Sequence, residues 1–149
     1  RAVLFAVKHQ SVWETIFFLW HNKENAYVMK SELARIPFWG WYMKRAAHIL
    51  VDRKGGTKSM RNMLEKAASI KDTSRSIVIF PEGTTSANNG TLPFKRGVFQ
   101  MASKLDIPIV PVAIIFEEKE DFWVGEESFL SHAARRFQLS SHLKLRSAL

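Results

Sequence analysis

The residues Ser76-Ile77-Val78-Ile79-Phe80-Pro81-Glu82-Gly83 constrain the fold more than any other stretch of this chain. Ile77 to Phe80 are all β-branched or aromatic, with no polar residue alternating among them. A strand with one solvated face would alternate. The uninterrupted pattern instead predicts a strand buried on both faces, as in the parallel sheets of α/β proteins. Pro81 has no N–H to donate and stops the ladder, and Gly83 permits a sharp turn. One carboxylate, Glu82, is thereby delivered to the carboxyl end of a buried strand, the edge at which open α/β sheets bind ligands.

The same construction recurs along the chain. Ala2 to Val7 reads as a buried strand that ends at Lys8-His9-Gln10. Ser11-Val12-Trp13-Glu14 then matches a capping box, with Ser11 as N-cap and Glu14 reaching back to it, ahead of a helix through Ile16 to Trp20. Ala26 to Met29 reads as a second strand, and Glu32 to Ile36 as a helical turn stopped before Pro37. His48 to Val51 is a third strand, ending in Asp52-Arg53-Lys54-Gly55-Gly56. Thr57 or Ser59 is placed to cap the next helix, which runs to about Ile70 with Met60, Met63, Leu64 and Ala67 as its apolar stripe. Residues 86–91 compose a polar loop. Pro93-Phe94-Lys95-Arg96-Gly97 leads into a helix over Val98 to Leu105, and Ile107 to Phe116 reads as a last buried strand.

Strands alternating with helices give an α/β fold, a mostly parallel central sheet flanked by helices. Right-handed crossovers bring the strand ends, and with them His9, Arg53 and Glu82, to one edge of the sheet. Lys95 and Arg96 oppose the dipole of the helix they precede, yet with its free N–H groups they suit an anion. The pattern points to an anionic substrate and a histidine base.

Length and composition bound the reading. At 149 residues the chain is one domain, 1–149, of which 117–149 carries the weakest pattern. Without cysteine, thiolate and disulfide chemistry are excluded. A net charge of +8 favours anionic partners without choosing among nucleic acid, phosphorylated metabolites and acidic lipid surfaces. Phe38-Trp39-Gly40-Trp41-Tyr42-Met43, followed by Lys44-Arg45, has three readings: a membrane-interface element, a buried core helix, or the wall of an apolar groove. The longest apolar run, 107–116, is too short to cross a bilayer. A start at Arg1, directly on an apolar strand, is what a fragment lacking its N-terminal segment would show.

Four blocks in order carry a resemblance. His9-Gln-Ser-Val-Trp-Glu14, Ile49-Leu-Val-Asp-Arg53, Phe80-Pro-Glu-Gly-Thr84 and Ile109-Val-Pro111-Val-Ala resemble the blocks of the glycerophospholipid acyltransferases, the 1-acylglycerol-3-phosphate acyltransferases in particular. The likeness covers residues 1 to about 116. Two positions depart from the family pattern: Glu14 stands where Asp is usual, and Thr85 where an arginine implicated in phosphate binding is usual.

The resemblance implies a glycerolipid acyltransferase-like fold. It also implies transfer of a fatty acyl chain from acyl-CoA or acyl carrier protein to the hydroxyl of a lysophosphatidic acid. His9 would be the general base and Glu14 its orienting carboxylate, unless Glu14 is only the helix cap. Arg53, Glu82, Gly83 and Thr84 would bind substrate, with Lys95 or Arg96 standing in for the missing arginine. No metal or cofactor is expected, since no cluster has ligand spacing. The expected partners are the acyl thioester, the lysophospholipid and a membrane surface, on the cytoplasmic face of the inner or plasma membrane, with no nucleic acid. The alternatives are a relative acting on another lysolipid, an inactive relative, and a basic anion- or nucleic-acid-binding domain.

Overall fold

The computed structural model describes residues 2–21, 24–86 and 91–113. In chain order these hold β1 (Leu4–Val7), α1 (Val12–His21), β2 (Ala26–Lys30), a 3-10 turn (Ser31–Arg35), α2 (Trp39–Arg45), β3 (Ile49–Val51), α3 (Gly56–Asp72), β4 (Ile77–Ile79), α4 (Arg96–Leu105) and β5 (Ile109–Val112). The C-terminal part 117–149, loop residues 87–90 and the end of the expected last strand lie outside the described residues, so the single-domain reading is seen only in part.

The strands form one sheet in the order β3-β2-β4-β1-β5, and every pairing is parallel. β4 is central, paired with β1 through Leu4↔Ile77 and with β2 through Ala26↔Ile77. Its apolar run is explained by the two cores it divides. Ile77 and Ile79 point into a cluster with Met63, Ala67 and Ile70 of α3 and Val98, Met101 and Leu105 of α4. Val78, between them, points to the other face, with Phe18 of α1, Tyr27 and Met29 of β2, and Met43 of α2. Each such side chain removed from water is worth roughly 1.5–3 kcal/mol. The expected stripe of α3 is realised: Met63 and Ala67 are buried, and Met60 and Leu64 pack beside them.

Three expectations are corrected. β5 is an edge strand whose residues alternate between exposed and half-buried, not a buried one. Pro111, which cannot donate to a ladder, is tolerated there. α3 is capped by neither Thr57 nor Ser59; Gly55 stands at its N-cap without a side-chain bond. The turn is closed one step earlier by Asp52, whose carboxylate accepts the Lys54 N–H at 2.9 Å and whose carbonyl accepts the Gly55 N–H at 3.2 Å. The aromatic segment is not a core helix as a whole: in α2 only Gly40 and Met43 are buried.

Gly40 shows why α2 sits so close to the 3-10 turn. A Cβ at this position would stand 2.0 Å from the Ala34 carbonyl oxygen, a backbone atom that cannot swing aside. Gly40→Ala is therefore expected to cost about 1–3 kcal/mol through overpacking. That corresponds to a Tm drop of roughly 2–10 °C for a chain of this size, measurable by scanning calorimetry.

Candidate active site

Because all five strands are parallel, their carboxyl ends share one edge, and a groove of about 730 Å³ opens there. His9 from the loop after β1, Arg53 from the turn after β3, and Glu82, Gly83 and Thr84 from the turn after β4 all line it. Lys95, just ahead of α4, lines it too. Its apolar wall includes Val28, Met29, Leu33, Trp39, Met60 and Met63. The sequence-derived site residues are thus brought together, with two exceptions. Arg96 is exposed at the first residue of α4 and is not part of the groove lining. Glu14 is buried behind the lining.

His9 is fixed from two directions. Its ring stacks on Phe80, centroids 4.1 Å apart at 23°. Its carbonyl accepts the Ser86 N–H at 2.9 Å, which ties the loop after β1 to the loop after β4. Glu14 closes the capping box: its carboxylate accepts the N–H of Gln10 at 2.5 Å and of Ser11 at 2.8 Å. This holds the backbone next to His9 and satisfies two N–H donors where the chain enters the helix.

Glu82 is wholly buried, and Lys8 Nζ stands 3.6 Å from its Oε1. Neither carboxylate oxygen receives a hydrogen bond among the described residues. A buried carboxylate facing a groove without donors is costly to keep unless something else supplies them. Gly83 adopts φ +71, the left-handed region that glycine enters without strain. The Lys95 side chain lies over it, Cγ and Cε each 3.4 Å from where a Cβ would be. The Lys95 N–H also donates to the Pro81 carbonyl at 2.8 Å. Arg53 and Lys95 make no ion pair among the described residues. Both cations are therefore available to an anion in the groove.

Lys8, Thr15 and Lys30 were not anticipated; Thr15 and Lys30 line the groove, and Lys8 holds Glu82.

Residues 1–115 match the family model described as Acyltransferase. The chain belongs to the acyltransferase family. Among its curated relatives, the 1-acyl-sn-glycerol-3-phosphate acyltransferase of Helicobacter pylori is 34% identical over 116 residues, covering 76% of this chain and 48% of that one. The Escherichia coli enzyme of the same name is 39% identical over 87 residues, covering 58% and 36%. The chain thus spans half or less of the length of these relatives. Among solved structures, the 1-acyl-sn-glycerophosphate (LPA) acyltransferase of Thermotoga maritima superposes with a TM-score of 0.57 at 24% identity, over 74% of this chain and 42% of that one. This likeness establishes the acyltransferase fold.

Two buried groups give this chain a pH signature. Burial raises the Glu14 carboxyl to about 7, against N–H bonds from Gln10, from its own residue and from Ser11 that favour the anion. Burial, followed by the nearby Arg75 charge, lowers His48 to about 4. Between pH 4.5 and about 7, folded Glu14 keeps a proton that the unfolded chain has released, so stability falls as pH rises. Between 6.5 and about 4, the unfolded chain takes up a proton that folded His48 refuses, so stability falls as pH drops. The two effects oppose each other over their shared window. Glu14→Gln removes the first alone, so its Tm should fall more steeply than wild type's on acidification from pH 6.5 to 4.5. Parallel Tm profiles would show that Glu14 ionises alike in the folded and unfolded chain.

Proposed function

We propose that this protein transfers a fatty acyl chain from acyl-CoA or acyl carrier protein to the free hydroxyl of 1-acylglycerol-3-phosphate, giving phosphatidic acid. The observation that carries this reading is the convergence of His9, Arg53, Glu82 and Lys95 on one groove whose remaining wall is largely apolar. An acyl chain needs the apolar wall, a phosphate needs the cations, and a hydroxyl needs a base.

The transfer runs in one displacement. Neutral His9 takes the proton from the acceptor hydroxyl as its oxygen bonds to the thioester carbonyl carbon. The tetrahedral adduct collapses, the carbon–sulfur bond breaks, and the departing thiolate takes the proton back from the imidazolium. Ionised Glu14, behind the loop that carries His9, favours the imidazolium formed between these steps. Arg53 and Lys95 hold the phosphate by charge-assisted bonds. Glu82, paired with Lys8, organises the turn that presents Gly83 and Thr84 to the groove. Both thioesters are substrates; no cofactor enters the route.

No helix among the described residues is long and apolar enough to cross a membrane. The lipid acceptor and product nevertheless put the work at a membrane surface, on the cytoplasmic face, where the thioester donors are made. The test is an acyl-transfer assay on the full-length protein with a panel of thioester donors and lysolipid acceptors. Selective turnover of lysophosphatidic acid is expected. Turnover of a lysolipid without a phosphomonoester in its place would move the acceptor assignment, and no turnover of any acceptor would overturn the reading.

A further inference from the structure

The segment between the 3-10 turn and the end of α2 carries a feature that the proposed chemistry leaves unused. Phe38 has φ 62 and ψ −47, and the Trp39 N–H donates to the Pro37 carbonyl at 2.6 Å. This is a γ-turn of the rare positive-φ kind, strained for any residue with a Cβ and more so for a bulky one. Phe38 contributes nothing to the core in return: it is 89% exposed, and Trp41 one helical turn on is 67% exposed. Strain held in place so that an aromatic ring stands in water points to a role outside the fold.

Place and charge say what the role is. Leu33 and Trp39, on either side of the turn, line the groove, so Phe38 projects at its rim. From Leu33 to Ala47 there is no acidic residue, while Arg35, Lys44 and Arg45 are all exposed. The Arg45 guanidinium lies 5.7 Å from the centre of the Trp41 ring, so cation and aromatic form one surface. Glu24 shares a surface pocket with Arg45 and Arg75, so cations still outnumber the anion on this side. Aromatic rings that favour the headgroup level, set among a surplus of cations, complement an acidic bilayer.

We propose that the Pro37–Arg45 lobe docks this protein on an anionic lipid surface, with the rings of Phe38 and Trp41 inserted at headgroup depth. The groove mouth is thereby set against the layer that holds a lipid acceptor. The proposal rests on the lipid-acyltransferase reading for its purpose, and on the lobe alone for its binding.

The experiment is co-sedimentation of the full-length protein with vesicles of pure phosphatidylcholine and with equimolar phosphatidylcholine and phosphatidylglycerol. Phe38→Ser/Trp41→Ser should weaken binding to the mixed vesicles about tenfold or more. Lys44→Glu/Arg45→Glu should erase the preference for the acidic vesicles, roughly fivefold for each positive charge removed. Phe99→Ser, an exposed aromatic of α4 on the other face of the sheet, is the control and should bind as wild type. Phe38→Gly should raise the Tm by relieving the turn and yet still weaken vesicle binding, a pairing that a folding defect cannot produce.

Turnover separates this proposal from the function it rests on. Neither Phe38 nor Trp41 lines the groove. The double variant should therefore keep its rate on a monodisperse short-chain acceptor and lose rate on the same acceptor class held in vesicles. Unchanged vesicle binding in the double variant overturns the docking surface whether or not the enzyme is active. So does a loss of solubility or Tm in that variant, which would mean that the rings are covered by protein. If vesicle binding is lost as expected and no acceptor is turned over, the docking stands and the acyltransferase reading falls.

Discussion

His9→Ala is expected to lower kcat by about 10²–10⁴-fold while leaving the fold intact, the usual loss when a general base is removed. The fold should survive because His9 lies past the end of β1, half-buried, and contributes a stacked ring to the site instead of a member of either core. Its carbonyl bond to Ser86 is a backbone contact that alanine keeps. The measurement pairs steady-state turnover with a thermal melt. In the wild-type protein, kcat/KM should rise with pH as Glu14, with its carboxyl near 7, becomes ionised. Glu14→Gln should lower the plateau of that profile, because an amide cannot favour the imidazolium. A folded His9→Ala protein with unchanged turnover would remove the base from the mechanism and leave the groove a binding site only.

The fold was legible in the sequence because its strongest signals are local. Ile77 to Ile79 could be apolar at every position only if both faces were covered, and the structure covers them with α1 and α2 on one side and α3 and α4 on the other. The site was legible for a related reason. In a parallel sheet the residue after each strand is sent to the same edge, so His9, Arg53 and Glu82 could be grouped without knowing strand order. What depended on contacts far apart in sequence was not legible. The Lys8–Glu82 pair joins residues from two strands whose adjacency no local pattern encodes. The exposure of β5 follows from its place at the sheet edge, since its apolar run alone reads as buried. Lys95 and Arg96 are adjacent and chemically similar, and only the turn of chain into α4 decides that the first lies over Gly83 while the second faces solvent.

Arg53→Ala is expected to raise the acceptor KM by roughly 10- to 100-fold with little change in the KM of the acyl donor, the scale of a lost charge-assisted hydrogen bond. Three observations assign the load to this residue. Thr85 lines the groove at the position where the family pattern carries an arginine, and a hydroxyl cannot make a bidentate ionic contact. Asp52, the carboxylate next to Arg53, is engaged with the Lys54 N–H at 2.9 Å, so it closes the turn and leaves the guanidinium to the groove. Lys95 supplies a second charge, but as a single-point donor draped over Gly83. It should soften the loss of Arg53 without replacing its geometry. Because Arg53 is exposed, part of its attraction is screened, and the effect should shrink as salt is raised. Thr85→Arg should lower the acceptor KM or leave it unchanged, and it should recover part of the loss when combined with Arg53→Ala. Kinetics with each substrate varied in turn separate these outcomes. An acceptor KM untouched by Arg53→Ala would give the phosphate to Lys95 and the N-terminus of α4. In that case Lys95→Ala, with little effect of its own while Arg53 holds the anion, becomes the variant that abolishes acceptor binding.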